Sequence, residues 1–251
     1  MPIAPNKFAL KRRLDRYFWS NDTSEMVFLH RVLEDRFATF DRIAVIGGLV
    51  RDFAHEGRAG FRSDLDLVID APADRVAALA SELGASSNRF GGFGCKQGPW
   101  KIDFWALETT WARRHVPVHR LEDIVACTFF DWDAVAYVLR SRRLICTDDY
   151  LDRLRKRTLD INLLPNPSPK GNLVRAVRRL ILWQVQAGPS LECFINQHLN
   201  EETLHFIKAK EAELYTSPVS THWNSVEEAR TVLLSSKHSR SGAQFELHLD
   251  Q

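Results

Sequence analysis

Apolar residues recur at helical spacing through the first forty positions: Phe8, Leu10, Leu14 and Phe18, then Val27, Phe28, Val32, Leu33 and Phe37, with a polar stretch at 21–24 between the two sets. Two helices are predicted there. The period then changes. Residues 42–46 are a short apolar run ending at Gly47-Gly48, the pattern of a buried strand, and 49–55 follow as a helix that starts on the glycines. A loop is expected over 57–63, a second strand over 64–69 and a helix over 72–83. Residues 88–94 and 99–107 read as the two arms of a β-hairpin, and 135–139 and 144–146 as strands around an Arg142-Arg143 turn. The order αα, β, α, β, α, β, β predicts an α/β (α+β) fold, a small mixed sheet with helices on one face.

Beyond Pro169 the pattern is helical almost to the end. An amphipathic helix is predicted over 173–186, with others over 189–198, 201–215 and 225–234; the last ten or so residues are expected to be mobile. Pro165, Pro167 and Pro169 interrupt regular structure and suggest a boundary near 165. The expected organisation is an N-terminal helical pair over 1–40 packed on a mixed-sheet domain over 41–165, then a small all-α domain over 166–251. At 251 residues with 45% hydrophobic and 26% charged side chains, the chain is neither a disordered nor a collagen-like sequence. It holds no apolar stretch long enough to span a bilayer, so no membrane partner is expected. Charges interrupt the N-terminal segment where a secretory leader needs an apolar core, and the four cysteines form no CxxC pair. A cytoplasmic protein with reduced thiols is therefore expected.

Charge changes the picture locally. Residues 140–179 hold eleven basic and four acidic side chains, a net +7, which leaves −5 for the rest of a chain whose total is +2. Such a block is either a solvated face or a surface for an anionic partner such as a triphosphate or RNA. Three further features carry chemistry. Gly47-Gly48 between strand and helix is either a plain turn or a place where backbone N–H groups meet a phosphate. Asp64 and Asp66, two apart in a strand, point to one side; such a pair is either an exposed acidic edge or a site for a hard cation such as Mg²⁺. Asp103 interrupts a run otherwise suited to a buried strand, so its carboxylate needs a partner, either a salt bridge with Lys101 or an arginine, or a cation. Three carboxylates on adjacent strands can hold two divalent ions, a set sufficient in principle for phosphoryl transfer, which needs mostly positioning and charge neutralisation.

These residues carry a resemblance. IGGLVRDFAHEG followed by SDLDLVI resembles the head of the nucleotidyltransferase superfamily, and more narrowly that of the poly(A) polymerases and CCA-adding enzymes of bacteria and eukaryotes. The matching parts are Gly47-Gly48, Val50-Arg51-Asp52, Asp64 and Asp66, and the hairpin RFGGFGCKQGPWKIDFWAL with Asp103; INLLPNPSPKGNLVRAVRRL resembles the segment after the head. The resemblance covers roughly residues 40–185. It implies metal-dependent transfer of a nucleoside monophosphate from an NTP, ATP or CTP, to an acceptor hydroxyl, with release of pyrophosphate. It implies that Asp64, Asp66 and Asp103 bind two Mg²⁺ (or Mn²⁺) ions, with Asp103 polarising the acceptor hydroxyl. Gly47, Gly48, Arg51, Asp52, Arg175 and Arg178 are implied nucleotide contacts, and the acceptor is an RNA 3′ end of tRNA type. The shortened C-terminal body also fits a toxin or regulatory transferase acting on tRNA or a protein, one with a regulatory or inhibitory protein partner, or a non-catalytic nucleotide- or RNA-binding module. The sequence departs from the family at Cys127-Thr-Phe-Phe-Asp-Trp-Asp-Ala134, where the paired arginines of Arg-Arg-Asp-Phe-Thr-Ile-Asn-Ala are absent and Asp131 and Asp133 are new acids, either ribose contacts or a solvent-facing edge. Pro169 and Asn172 stand where the family's base-reading pair would be. Trp111, Trp183 and Trp223 are candidates either for core packing or for stacking a base. His115 and His119 form no metal pair, since Pro117 breaks the helix that would align them.

Overall fold

The apolar runs form the centre of a seven-stranded sheet. The computed structural model describes residues 3–57 and 64–235; most of the predicted loop at 57–63 and the end of the chain lie outside them. Contacts divide the chain into Met1–Pro167 and Ser168–Gln251. In the first unit, helices α1 (Lys7–Trp19) and α2 (Ser24–Arg36) precede strand β1 (Ile43–Ile46), helix α3 (Gly48–His55), β2 (Leu65–Ile69) and α4 (Ala73–Glu82). Then come β3 (Ser86–Ser87), β4 (Phe93–Gln97), β5 (Trp100–Ala106), β6 (Val135–Val138), β7 (Arg143–Cys146) and the short α5 (Tyr150–Arg155). The spatial order is β3-β4-β5-β2-β1-β6-β7. Every neighbouring pair is antiparallel except β2 and β5, which run parallel, so the sheet is mixed as the pattern predicts.

Strand alternation gives the sheet two different faces. Val45, Leu67, Phe104 and Tyr137 lie in register on one of them. The N-terminal helices cover this face: Phe18 stacks on Tyr137 at 5.6 Å, Trp19 Nε1 donates to the Tyr137 hydroxyl at 3.0 Å, and Phe37 meets Phe104 edge-on at 5.7 Å. Leu10, Leu14, Tyr17 and Phe18 are the buried stripe of α1, and Asn6 caps it by accepting from the Ala9 N–H at 2.8 Å. The other face carries Ala44, Ile46, Val68, Ala136 and Val138. These pack under Leu107, Val118, Leu121 and Ile124 from the 3₁₀ turns that follow β5 and the loop between them. The cover stops short of the end of this face where Asp66 and Asp103 lie.

Two details differ from the expected boundaries. The first arm of the hairpin starts at Phe93, not at 88, because the Asn88 side chain accepts from the Phe90 and Gly92 N–H groups at 2.9 and 3.1 Å and folds 88–92 into a turn. In the second unit the first helix, α6 (Pro169–Trp183), begins on the proline, and Gln184 in the left-handed region ends it at φ 52°. Helices α7 (Pro189–His198), α8 (Glu201–Leu214) and α9 (Val226–Leu234) complete that unit around Leu173, Val177, Leu180, Phe194, Ile195 and Ile207. No helix among the described residues is long and apolar enough to cross a membrane. All four cysteines are free thiols.

Candidate active site

The parallel pairing of β2 with β5 decides where the acids meet. Asp66 is in register with Asp103 on neighbouring strands, and Asp64 immediately precedes β2. Strand β1 runs antiparallel beside β2 with Val45 opposite Leu67, so the end of β1 that leads into Gly47-Gly48 lies at the Asp66 end of β2. Gly47 has φ 70°, which favours glycine, and its N–H is tied to the Val135 carbonyl at 3.2 Å. Gly48 opens α3, whose first N–H groups are left without intrahelical acceptors and point outward from its N-terminus.

The electrostatics show two carboxylates held above their ordinary range. Burial, and then the charges of Asp103, Asp64 and Asp133, push the Asp66 carboxyl up to about 7. Burial also raises Asp103, against the pull of Lys101. The Lys101 ammonium bonds Asp64 and stands 3.9 Å from Asp103, so the salt-bridge partner expected for Asp103 is there, but it is shared and nearer to Asp64. As the side chains stand, no three His, Cys, Asp or Glu residues among the described ones are gathered at ion-holding distance. The donor set nonetheless suits a hard divalent cation: oxygen-only ligands with excess negative charge, met by a single exposed ammonium, that of Lys101.

Three contributors were missed from sequence. Gly94 pairs directly with Asp103 across β4 and β5, and a Cβ there would come within 2.6 Å of Asp103 Oδ1, so the glycine leaves room for the carboxylate. Lys101 was read only as a bridging partner. Asp133 is not at a solvent-facing edge: its side chain is largely buried and Arg51 Nη1 donates to it at 2.5 Å. The same guanidinium donates to Asp52 through Nε at 2.9 Å and Nη2 at 2.6 Å. Arg51 and Asp52, both expected at the triphosphate, are each 7% exposed and form a buried ion cluster inside α3 with Asp133. Asp131 is also buried and accepts from the Asp160 N–H at 3.0 Å.

The basic block is not a free patch. Arg140, Arg143, Arg153, Arg155, Lys170 and Arg178 each pair with a carboxylate. Arg178 belongs to the second unit's interior: it donates to the fully buried Glu211 at 2.8 Å and lies over Tyr215 at 3.5 Å. Arg175, in the same unit, is exposed and bonds the Asn172 side chain. Of the tryptophans that could stack a base, Trp223 is buried in the second unit.

The same architecture occurs in solved structures. A Thermotoga maritima CCA-adding enzyme complexed with tRNA superposes with a TM-score of 0.54 at 19% identity, over 88% of this chain and 53% of that one. A CCA-adding enzyme complexed with ATP gives 0.52 at 19% identity, over 79% of this chain and 50% of that one. A tRNA-processing enzyme in an apo form gives 0.50 at 20%, over 73% and 49%. The fold is the nucleotidyltransferase fold. The chain spans about half the length of these structures. No family model and no curated protein matches its sequence. In the nucleotidyltransferase fold seen here, the acids and the Gly-Gly turn share one end of the sheet.

Proposed function

We propose that the protein is a nucleotidyltransferase that moves a nucleoside monophosphate from ATP or CTP to the 3′ hydroxyl of an RNA, releasing pyrophosphate. The observation that carries this reading is the in-register pairing of Asp66 with Asp103, with Asp64 beside them, at the strand ends that meet Gly47-Gly48. Asp64, Asp66 and Asp103 would hold two divalent ions, Mg²⁺ or Mn²⁺. Such ions, when bound, neutralise the triphosphate and lower the pKa of the attacking hydroxyl. The chain's own groups do the positioning. The N–H groups at the start of α3 receive the phosphates, and the glycines let the backbone approach them. Asp103 orients the acceptor hydroxyl and takes its hydrogen bond. Lys101 moves off Asp64 as the acids acquire other positive partners. Arg51, Asp52 and Asp133 hold α3 in place rather than touching substrate. The solved CCA-adding enzymes with ATP and with tRNA support NTP and RNA as the substrate classes.

The test is incorporation of each α-labelled NTP, with Mg²⁺, into total cellular RNA and separately into RNase-treated lysate. Label in a discrete RNA band is the expected result. Label in protein alone would replace the RNA acceptor with a protein hydroxyl, and no label in either would remove the transferase reading. A second expectation concerns the glycine opposite Asp103. In Gly94→Ala the new methyl displaces the carboxylate, and a displacement of about 1 Å costs roughly a hundredfold in rate. Transfer should fall by that order with the melting temperature nearly kept. Unchanged transfer would show that Asp103 does not need its present orientation.

A further inference from the structure

Beside Trp105, near the end of β5, lies a cavity of about 640 Å³, within the range of small-molecule sites. Residues 101, 103 and 105 share one face of β5, so Trp105 lies one alternation beyond Asp103, about 7 Å along the strand. Trp105 Nε1 donates to Thr110 Oγ1 at 3.1 Å, and Thr110 is part of the cavity wall. The same wall holds Arg89, Phe90, Trp111, Arg113 and Arg114. Three exposed arginines thus line one concavity, and no carboxylate among the described residues is ion-paired with any of them. Glu108 also lines it, but its carboxylate accepts the Ala73 N–H at the start of α4. The Arg89 guanidinium lies over Phe90 at 4.7 Å, and His115 backs Trp111 at 4.7 Å.

The wall is fixed before any ligand arrives. Thr109 Oγ1 donates to the Gly91 and Ala106 carbonyls at 3.2 and 3.0 Å, joining the 88–92 turn to the turn after β5. Arg113 donates to the Glu108 carbonyl at 2.6 Å. Exposed arginines offer charge to a phosphate, and the aromatic rings beside them offer a stacking surface for any base. A solvated basic face needs neither the concavity nor the rings.

We propose that this cavity is a second nucleic-acid site, taking one unpaired nucleotide of an RNA strand with its base stacked on Trp111 and its phosphates on Arg89, Arg113 and Arg114. The strand is the acceptor whose 3′ end lies at Asp103, and in that respect the inference rests on the proposed function. Trp105, bonded to the wall at Thr110 and two residues from Asp103 in β5, puts the two places about a nucleotide or two apart.

The test measures binding of a short, unstructured, fluorescently labelled RNA by anisotropy across a salt series. The Asp66→Asn protein is used, so that no transfer occurs. Trp111→Ala is expected to weaken binding about tenfold, while Trp111→Phe stays near the parent because a stacking ring remains. Replacing Arg113 and Arg114 together by Gln should lower the slope of log affinity against log salt by about 1.4, at ~0.7 per phosphate contact on a single strand. Parent-like affinity and slope in these variants, with unchanged circular dichroism, would overturn the site while leaving any observed transfer intact. Absence of transfer in the Asp66-containing protein, with binding still dependent on Trp111, would instead overturn the transferase reading and leave an RNA site standing.

Discussion

Asp66→Asn is expected to cut nucleotide transfer by at least about a thousandfold while producing a protein that melts higher than the parent at pH 8. The activity loss follows from the proposed role: metal-bound charge stabilisation is worth several kcal/mol, and each 1.36 kcal/mol is roughly tenfold in rate. The gain in stability follows from the site as it stands. Asp66 titrates near 7 in the folded protein, raised by burial and then by Asp103, Asp64 and Asp133. In the unfolded chain an aspartate titrates at about 3.9. Between those values the native state holds a proton that the unfolded chain has lost. Stability therefore falls as pH rises from about 4 to about 7, and the whole penalty remains above that. Its size is about 2–4 kcal/mol, the lower end allowing for the remaining solvent contact of a mostly buried group. Asp131, pushed up to about 6 by burial, acts in the same direction away from the site and persists in the variant. Melting curves at pH 5 and pH 8, with and without Mg²⁺, check this. The parent should be the less stable at pH 8 without Mg²⁺ and should regain stability when it is added, since a ligand of the native state stabilises it. The Asn variant should show a flatter pH profile and a smaller Mg²⁺ effect. Identical profiles for the two proteins would sink the placement of Asp66 among strained carboxylates.

How much of this was legible before the structure depended on whether the signal was local. The runs ending at Gly47 and beginning at Asp64 gave strands within a residue or two, because a buried strand needs an unbroken apolar stretch and the glycines mark where it stops. The identity of the acids was legible from their wrong-looking positions in apolar runs. What pairs with what was not. Gly94 reads as one more glycine until the register places it opposite Asp103, and a shift of one residue would turn it to the other face. The arm of the hairpin was set too early because Asn88 looks like a strand neighbour in sequence, while its side chain bonds make a turn. The proline at 169 was taken as a breaker, although at the first helical position it starts a helix. The basic block is open in sequence between a solvated face and an anion surface because sequence counts charges, while partners such as Glu122 for Arg143 and Glu211 for Arg178 are 21 and 33 residues away. The same distance problem hid Asp133, which is 82 residues from the arginine it holds.

That arginine carries the second large expectation. Arg51→Ala should destabilise the first unit by about 3–5 kcal/mol, the usual cost of removing one partner from a buried ion cluster. The loss is not that of a surface contact. Arg51 stays charged, held by Asp133 and Asp52 against the cost of its burial, and all three side chains are nearly shielded from water. Without the guanidinium Asp52 and Asp133 lose the hydrogen bonds and the charge of the cation they share, and the Asp133 charge adds more fully to the repulsion already raising Asp66. For a unit of this size each kcal/mol shifts the midpoint by about 2–4 °C, so a fall of at least about 6 °C is expected. Arg51→Lys should recover only part of it: a single ammonium cannot reproduce two bonds to Asp52 and one to Asp133 from a planar fork. Asp133→Asn in the Arg51→Ala background should return some of the stability, because it removes one of the stranded charges. The contrary result is as informative. If Arg51 contacts the triphosphate and does little else, Arg51→Ala will melt with the parent and show its defect as a raised KM for the NTP. A melting temperature that falls, with KM for the remaining folded protein near the parent value, assigns Arg51 to the support of the Gly47-Gly48 turn from inside α3.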